Sequence, residues 1–205
     1  MAVRLRPATR SDAPDLARLV DMAGEGLPSY IWAGMAEPGE DVWVVGRRRA
    51  ERDEGGFSWR NATMAEIEVP GTGRRVAGAL VGYPLAEVPP PEDLPPMFQP
   101  MQQLESLAIG TWYVNVLAAY PEWRRQGVGA ALMAEAERLA AGFAGMSLIV
   151  ADANHAARRF YEALGYREKA RRPMVKEGWR SDSSEWVLML KPLPNPPASA
   201  NGTRI

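Results

Sequence analysis

Thr111-Trp112-Tyr113-Val114-Asn115-Val116-Leu117-Ala118-Ala119-Tyr120-Pro121-Glu122-Trp123-Arg124-Arg125-Gln126-Gly127-Val128-Gly129-Ala130 passes from a nearly unbroken apolar run into a polar, glycine-bearing turn. Residues 111–119 are expected to form a strand buried on both faces, because an exposed face would show alternating polar residues. A helix is expected from Gly127 to about Ala141, since Val128, Leu132, Ala136 and Leu139 recur on one face. The turn between them, Arg124–Ala130, therefore leads from a strand end into a helix start. Unpaired amides of a first helical turn point outward there, the helix dipole presents its positive end, and glycine lets a ligand come close. The combination suits an anion such as a pyrophosphate, with Arg124 or Arg125 adding charge-assisted bonds.

Working outward, Met146–Ala151 is an apolar strand, and Asn154–Leu164 is a helix stopped by Gly165, with Ala156, Phe160 and Leu164 inward. Two strands follow at about 166–175 and 185–191. Upstream, Val3–Arg6 alternates as a short strand before Pro7, and Ser11 or Asp12 caps a helix bearing Leu16, Leu19, Val20 and Ala23. Residues 27–53 are less regular, with a helix expected from about Glu40 to Arg52. Strands at about 61–69 and 75–83 flank Pro70-Gly71-Thr72-Gly73, a hairpin signal. The order is β-α-α-β-β-β-α-β-α-β-β. It describes an α/β fold with a central mixed twisted sheet of about six to seven strands and about four helices. Residues 1–191 are expected to form one domain carrying a Pro-rich insertion at 84–109, and 192–205 a disordered tail.

Composition removes several function classes. Among 205 residues, 24 Lys+Arg against 25 Asp+Glu give a formal charge of −1, which argues against broad nucleic-acid binding. The arginines at 47, 48, 49 and 52 stand beside Glu51, Asp53 and Glu54, as on a solvated helical face. Without cysteine there is no disulfide, thiolate metal site or acyl-cysteine, and one histidine cannot build a multi-His metal site. No metal is therefore expected. No apolar run approaches the ~20 residues of a bilayer span, and the N-terminus lacks an apolar signal core. A soluble, cytoplasmic protein without membrane contact is expected.

Two nucleotide readings of the turn can be weighed. A P-loop needs Lys and Ser/Thr after the final glycine, where Ala130 and Ala131 stand. A dinucleotide fingerprint would put glycine or alanine at Leu132 and follow the strand at once, although Asp152 supplies the expected acid downstream.

Leu117–Gly129 resembles the acetyl-CoA signature of the GNAT superfamily of N-acetyltransferases, Arg/Gln-x-x-Gly-x-Gly/Ala after a strand ending Leu-Ala-Val-x-Pro. Ala151-Asp152-Ala153-Asn154-His155-Ala156-Ala157-Arg158-Arg159-Phe160-Tyr161-Glu162-Ala163-Leu164-Gly165-Tyr166 is similar to the family's Asn-x-x-Ala-x-x-x-Tyr-x-x-x-Gly-Phe segment at the family spacing. Ala119 stands for the usual valine and Tyr166 for the usual phenylalanine. The motifs cover about 111–166, the element order about 3–191, and neither accounts for 27–60 or 84–109.

The resemblance implies an acetyl-CoA-dependent N-acetyltransferase. Leu117 and Ala119 would pair through their backbones with the pantetheine arm. Arg124, Arg125, Gln126, Gly127, Val128, Gly129 and Ala130 would hold the pyrophosphate, Asn154 would bond the cofactor, and Tyr161 would stand near the sulfur. An amine attacking a thioester develops an oxyanion that the Leu117 N–H is suited to stabilise. A tyrosine hydroxyl, ordinarily ~10 against ~8.5 for a thiol, is a matched donor for the departing thiolate. Without cysteine, direct attack in a ternary complex is more natural than a covalent route.

Glu105 is the candidate general base, with Tyr113 and Asn115 as further candidates to touch the acceptor. His155 begins a helix and is expected to be exposed and non-catalytic. Trp32, Trp43, Trp59 and Trp112 leave an aromatic acceptor pocket and plain core packing both open. The acceptor is a small-molecule or peptide amine, and a homodimer is compatible with such families. Two other function classes stay open, a non-catalytic acyl-CoA-binding module and a dinucleotide-binding oxidoreductase.

Overall fold

The computed structural model describes residues 2–89 and 92–194. Pro90 and Pro91 of the expected insertion and residues 195–205 of the expected tail lie outside the described residues. Of that tail, Pro192 closes the last strand and the Leu193 amide donates to the Ala144 carbonyl at 3.2 Å.

Among the described residues the chain forms seven strands and six α-helices: β1 (Val3–Pro7), α1 (Ala13–Ala23), α2 (Leu27–Ala33), α3 (Val42–Ala50), β2 (Ala62–Val69), β3 (Gly73–Pro84), α4 (Gln99–Glu105), β4 (Trp112–Ala119), α5 (Val128–Leu139), β5 (Gly145–Ala151), α6 (His155–Ala163), β6 (Arg167–Pro173) and β7 (Glu185–Pro192). Strand order in the sheet is β1-β2-β3-β4-β5-β7-β6. Two helices exceed the sequence expectation. Both α2 and α4 are seven residues long and carry proline in the first turn, too short for an apolar stripe to repeat.

The chain divides into two compact units. The first comprises residues up to Tyr83, Val114–Ala136 and Lys176–Ser181, and the second Pro84–Tyr113, Glu137–Val175 and the residues from Asp182 on.

In the first unit β1 pairs antiparallel with β2, and β2 with β3, from Ala62 opposite Val81 to Val69 opposite Gly73. Gly71 and Gly73 take φ of 79° and 77°, the left-handed values that the Pro70–Gly73 hairpin needs. Helix α1 buries Leu16, Leu19 and Val20 in a core with Met64, Ala79 and Val116. Its entry is fixed differently from expectation. Asp12 turns back, accepting from the Thr9 amide at 2.7 Å and from Arg6 at 2.7 Å, because a carboxylate buried to this extent requires a cation and donors. Two of the four tryptophans pack together: Trp32 stacks on Phe57 at 6.1 Å and meets Trp43 edge-on at 6.3 Å, and both belong to the core around α1.

In the second unit β7 lies between β5 and β6, antiparallel to both, from Gly145 opposite Pro192 to Ala151 opposite Trp186. The β6 strand is rich in charge and mostly exposed, as suits an edge. Helix α4 packs on β6 and β7 inside the segment expected as an insertion, and Arg172 donates to Gln103 at 2.9 Å.

Candidate active site

The first unit contains Leu117, Ala119 and the whole Arg124–Ala130 turn. After β4, Tyr120 enters a 3-10 turn, Pro121–Trp123, closed by the Trp123 amide on the Tyr120 carbonyl at 2.9 Å. Two side chains then bind backward along the chain. Arg124 Nε donates to the Ala119 carbonyl at 3.2 Å, and Gln126 Nε2 to the Glu122 carbonyl at 2.7 Å. Arg125 has φ of 61° and Gly127 of 86°. Left-handed residues placed in a turn aim neighbouring amides toward one side, as in an anion nest.

The first amide of this region to find a helical acceptor is that of Ala131, on the Gly127 carbonyl at 2.9 Å. From Arg125 to Ala130 the six amides have no acceptor among the described residues. Val128 anchors the turn in the interior at 1% exposure. Nothing lies within 4 Å of where a Gly127 Cβ would stand, so this glycine is required by its φ and not by crowding. Gly78 on β3 is the opposite case. A Cβ there would meet the Ala118 carbonyl oxygen at 2.5 Å and Val128 at 3.0 Å, so glycine lets β3 pass close to the root of the turn. Nothing in the sequence around Gly78 marked it, because its contacts lie 40 residues and more downstream.

Along β4, Tyr113, Asn115, Leu117 and Ala119 share one side of the strand by alternation. Tyr113 is buried, Asn115 exposed, and Leu117 and Ala119 half-buried.

The second unit contains Glu105, Asn154 and Tyr161. On α6 the deeply buried residue is Tyr161, whereas Ala156, expected inward, is exposed and Phe160 and Leu164 are half-buried. The helix is rotated from the expected stripe because an aromatic ring gains more by burial than an alanine. Tyr161 lies between the rings of Phe160 at 5.5 Å and Tyr166 at 5.9 Å. Burial pushes its phenol above the ordinary value, and its hydroxyl has no hydrogen-bond partner among the described residues.

Asn154 caps α6, its Oδ1 accepting from the Ala157 amide at 3.2 Å. His155 is exposed. Asp152 ties the β5 end to the start of β7. Burial raises its carboxyl, but the hydroxyl and amide of Ser184 (2.8 and 2.9 Å) with neighbouring backbone groups outweigh that and hold it at about 2. Glu105, at the end of α4, is half-buried. Burial raises its carboxyl above the ordinary value, partly offset by the Tyr113 hydroxyl donating to it.

The sequence profile of the acetyltransferase (GNAT) family matches residues 35–166. The chain belongs to this family. A curated relative, an uncharacterized N-acetyltransferase of Methanocaldococcus jannaschii, is 34% identical over 95 residues, 45% of this chain and 58% of its own length, so the chain spans a little over half of that protein. The GNAT fold is shared with a solved acetyltransferase of Corynebacterium glutamicum described as histone acetyltransferase HPA2 and related acetyltransferase (TM-score 0.61, 18% identity, 96% of this chain and 99% of the other). It is shared also with the NatC complex bound to Gag peptide and CoA (TM-score 0.53, 16% identity, 95% and 100%). Among the described residues no three His, Cys, Asp or Glu side chains could together hold a metal ion, and no helix is long and apolar enough to cross a membrane.

Proposed function

We propose that this GNAT-family chain is an N-acetyltransferase that moves the acetyl group of acetyl-CoA to a primary amine by direct attack in a ternary complex. The observation that carries the reading is the Arg125–Ala130 nest of six amides without an acceptor, which fits a diphosphate in both charge and number of donors. CoA is bound in the NatC structure that shares the fold. Arg124 and the nest hold the pyrophosphate, the backbones of Leu117 and Ala119 pair with the pantetheine arm, and Asn154 bonds the cofactor in addition to capping α6.

Acetyl-CoA supplies the acetyl group as an activated thioester. Glu105 takes a proton from the acceptor ammonium, freeing the nitrogen lone pair to bond the carbonyl carbon. The Leu117 N–H donates to the carbonyl oxygen as negative charge gathers there. The adduct nitrogen sheds its second proton to water, and Tyr161, which gives its hydroxyl proton to the sulfur as the carbon–sulfur bond breaks, is refilled by that proton. The products are an amide and a free thiol, with one proton released overall. Residues 1–191 act as one catalytic domain, in the cytoplasm, on a small-molecule or peptide amine, as a monomer or homodimer without a metal.

A panel of amines and peptides, incubated with acetyl-CoA and followed by thiol release and product mass, tests this. Saturable transfer to at least one acceptor is expected. Tight CoA binding with no transfer to any acceptor would replace the enzyme with an acyl-CoA-binding module.

A further inference from the structure

Helix α4 lies within 84–109, which neither motif covers, and its last residue, Glu105, is half-buried. The chain returns from it to β4 through a braced connection in the second unit. The 3-10 turn Ser106–Ala108 follows at once, and Thr111 Oγ1 donates to the Ala108 carbonyl at 2.7 Å. Leu85, just past β3, clamps the same loop. Its amide donates to the Thr111 carbonyl and its carbonyl accepts from the Gly110 amide, both at 2.9 Å. Gly110 takes φ of 84°, a left-handed value that glycine adopts without strain.

Tyr113, at the start of β4, is 4% exposed, and its hydroxyl donates to the Glu105 carboxylate. A buried phenol needs such an acceptor, and a carboxylate withdrawn from water holds its charge more readily with a donor. Leu104, fully buried, pins the end of the helix. Among the described residues no charged side chain acts on Glu105. On β6, Arg172 is committed to Gln103 at 2.9 Å and Arg171 to Glu168 at 2.6 Å. On β7, Glu185 accepts from Arg171 at 2.8 Å and Lys191 is held by Glu137. The Tyr113 hydroxyl is the group that opposes burial at this carboxyl.

We propose that Tyr113 is a positioning residue for the general base, aiming the Glu105 carboxylate and keeping it ionised so that it can take the proton of the acceptor ammonium. Tyr113 then acts through Glu105 and not on the acceptor itself. The inference rests on the proposed role of Glu105, and two readouts separate the two. One is carbon NMR titration of protein labelled at its glutamate carboxyls, with Glu105 assigned by the signal lost in Glu105→Gln. The other is the pH profile of kcat/KM with acetyl-CoA and the amine of the panel that turns over fastest.

Tyr113→Phe deletes the hydroxyl and keeps the ring. In it the Glu105 carboxyl should titrate at higher pH than in the wild type, because its ionised form has lost a donor. The acid limb of kcat/KM should move the same way. On that limb the variant should be about tenfold slower, the worth of one bond to a charged group, and the gap should narrow at higher pH. A merely structural role would lower the rate equally at every pH. Replacing Tyr113 by 3-fluorotyrosine keeps the buried hydroxyl and makes it a stronger donor, so carboxyl and limb should both move to lower pH. An unmoved carboxyl in either variant, or a loss of rate that is uniform with pH, overturns the proposal and leaves Glu105 as the base. A carboxyl that moves while the limb stays in place shows that another group takes the proton, which overturns the role of Glu105 and the proposal with it. Transfer to no amine of the panel overturns both as well.

Discussion

Tyr161 shows how burial changes the chemistry expected of a side chain. From ordinary values, a phenol at ~10 and a thiol at ~8.5 are neighbours on the acidity scale. Burial between two aromatic rings raises the phenol and widens that gap. The hydroxyl therefore keeps its proton throughout the neutral range, and in the proposed mechanism it would yield it only to a sulfur carrying full charge. Tyr161→Phe is expected to lower kcat about 100-fold, with KM for acetyl-CoA and the thermal midpoint little changed; an unaltered kcat with chemistry rate-limiting would remove the role. Glu105 titrates in the opposite sense for activity. In the proposed mechanism its carboxylate form is the base, and burial raises its carboxyl, so kcat/KM should fall as pH drops through a value above the ordinary glutamate one. In Glu105→Gln that falling limb should vanish along with most of the rate. A Gln variant with the wild-type profile would assign the proton to another group.

Among the elements, the strand-turn-helix from β4 to α5 was the most legible in sequence, because its apolar run, its glycines and its helical stripe agree. What sequence could not show was the hand of Arg125. A non-glycine residue at φ 61° is set by the turn that closes around it and by no propensity of arginine. Helices α2 and α4 were invisible for want of length, and the direction of α6 was misjudged by one position because Tyr161 wins the interior. Glu105, proposed from sequence as an isolated acid, gains its environment from α4, an element that sequence did not reveal.

Packing around the turn makes a further stability prediction. Gly78→Ala would set a methyl 2.5 Å from a backbone oxygen that cannot swing aside. A loss of about 1–3 kcal/mol is expected in denaturant unfolding, against a fraction of that for alanine at an open strand position. Asp152 supplies an acid-sensitive tie. Its folded value, about 2, lies below the ordinary ~3.9, so its contribution is present above about pH 4 and is lost as pH falls toward 2. The midpoint difference between wild type and Asp152→Asn should accordingly shrink over that range, and a constant difference would mean that the carboxylate charge is immaterial.

For the whole chain, a formal charge of −1 offers no broad field to steer a ligand, so the proposed recognition rests on local groups: the amide nest, half-buried Glu105 and buried Tyr161. Each is an arrangement of backbone or burial more than of residue type. The family motifs were readable because they lie in the strand-turn-helix from β4 to α5 and in α6, whereas no motif in the sequence marks the residues that would meet an acceptor. The most direct measurement is the thermal midpoint with acetyl-CoA, with CoA and with NAD(P)H, each supplied near 100 times its expected dissociation constant. A ligand that binds the folded state at that excess stabilises it by about 2.7 kcal/mol, a shift of several degrees for a chain of this size. Acetyl-CoA and CoA should both raise the midpoint and NAD(P)H should leave it in place; a rise with NAD(P)H and none with either CoA ligand would contradict the assignment of the nest and of Tyr161 with it.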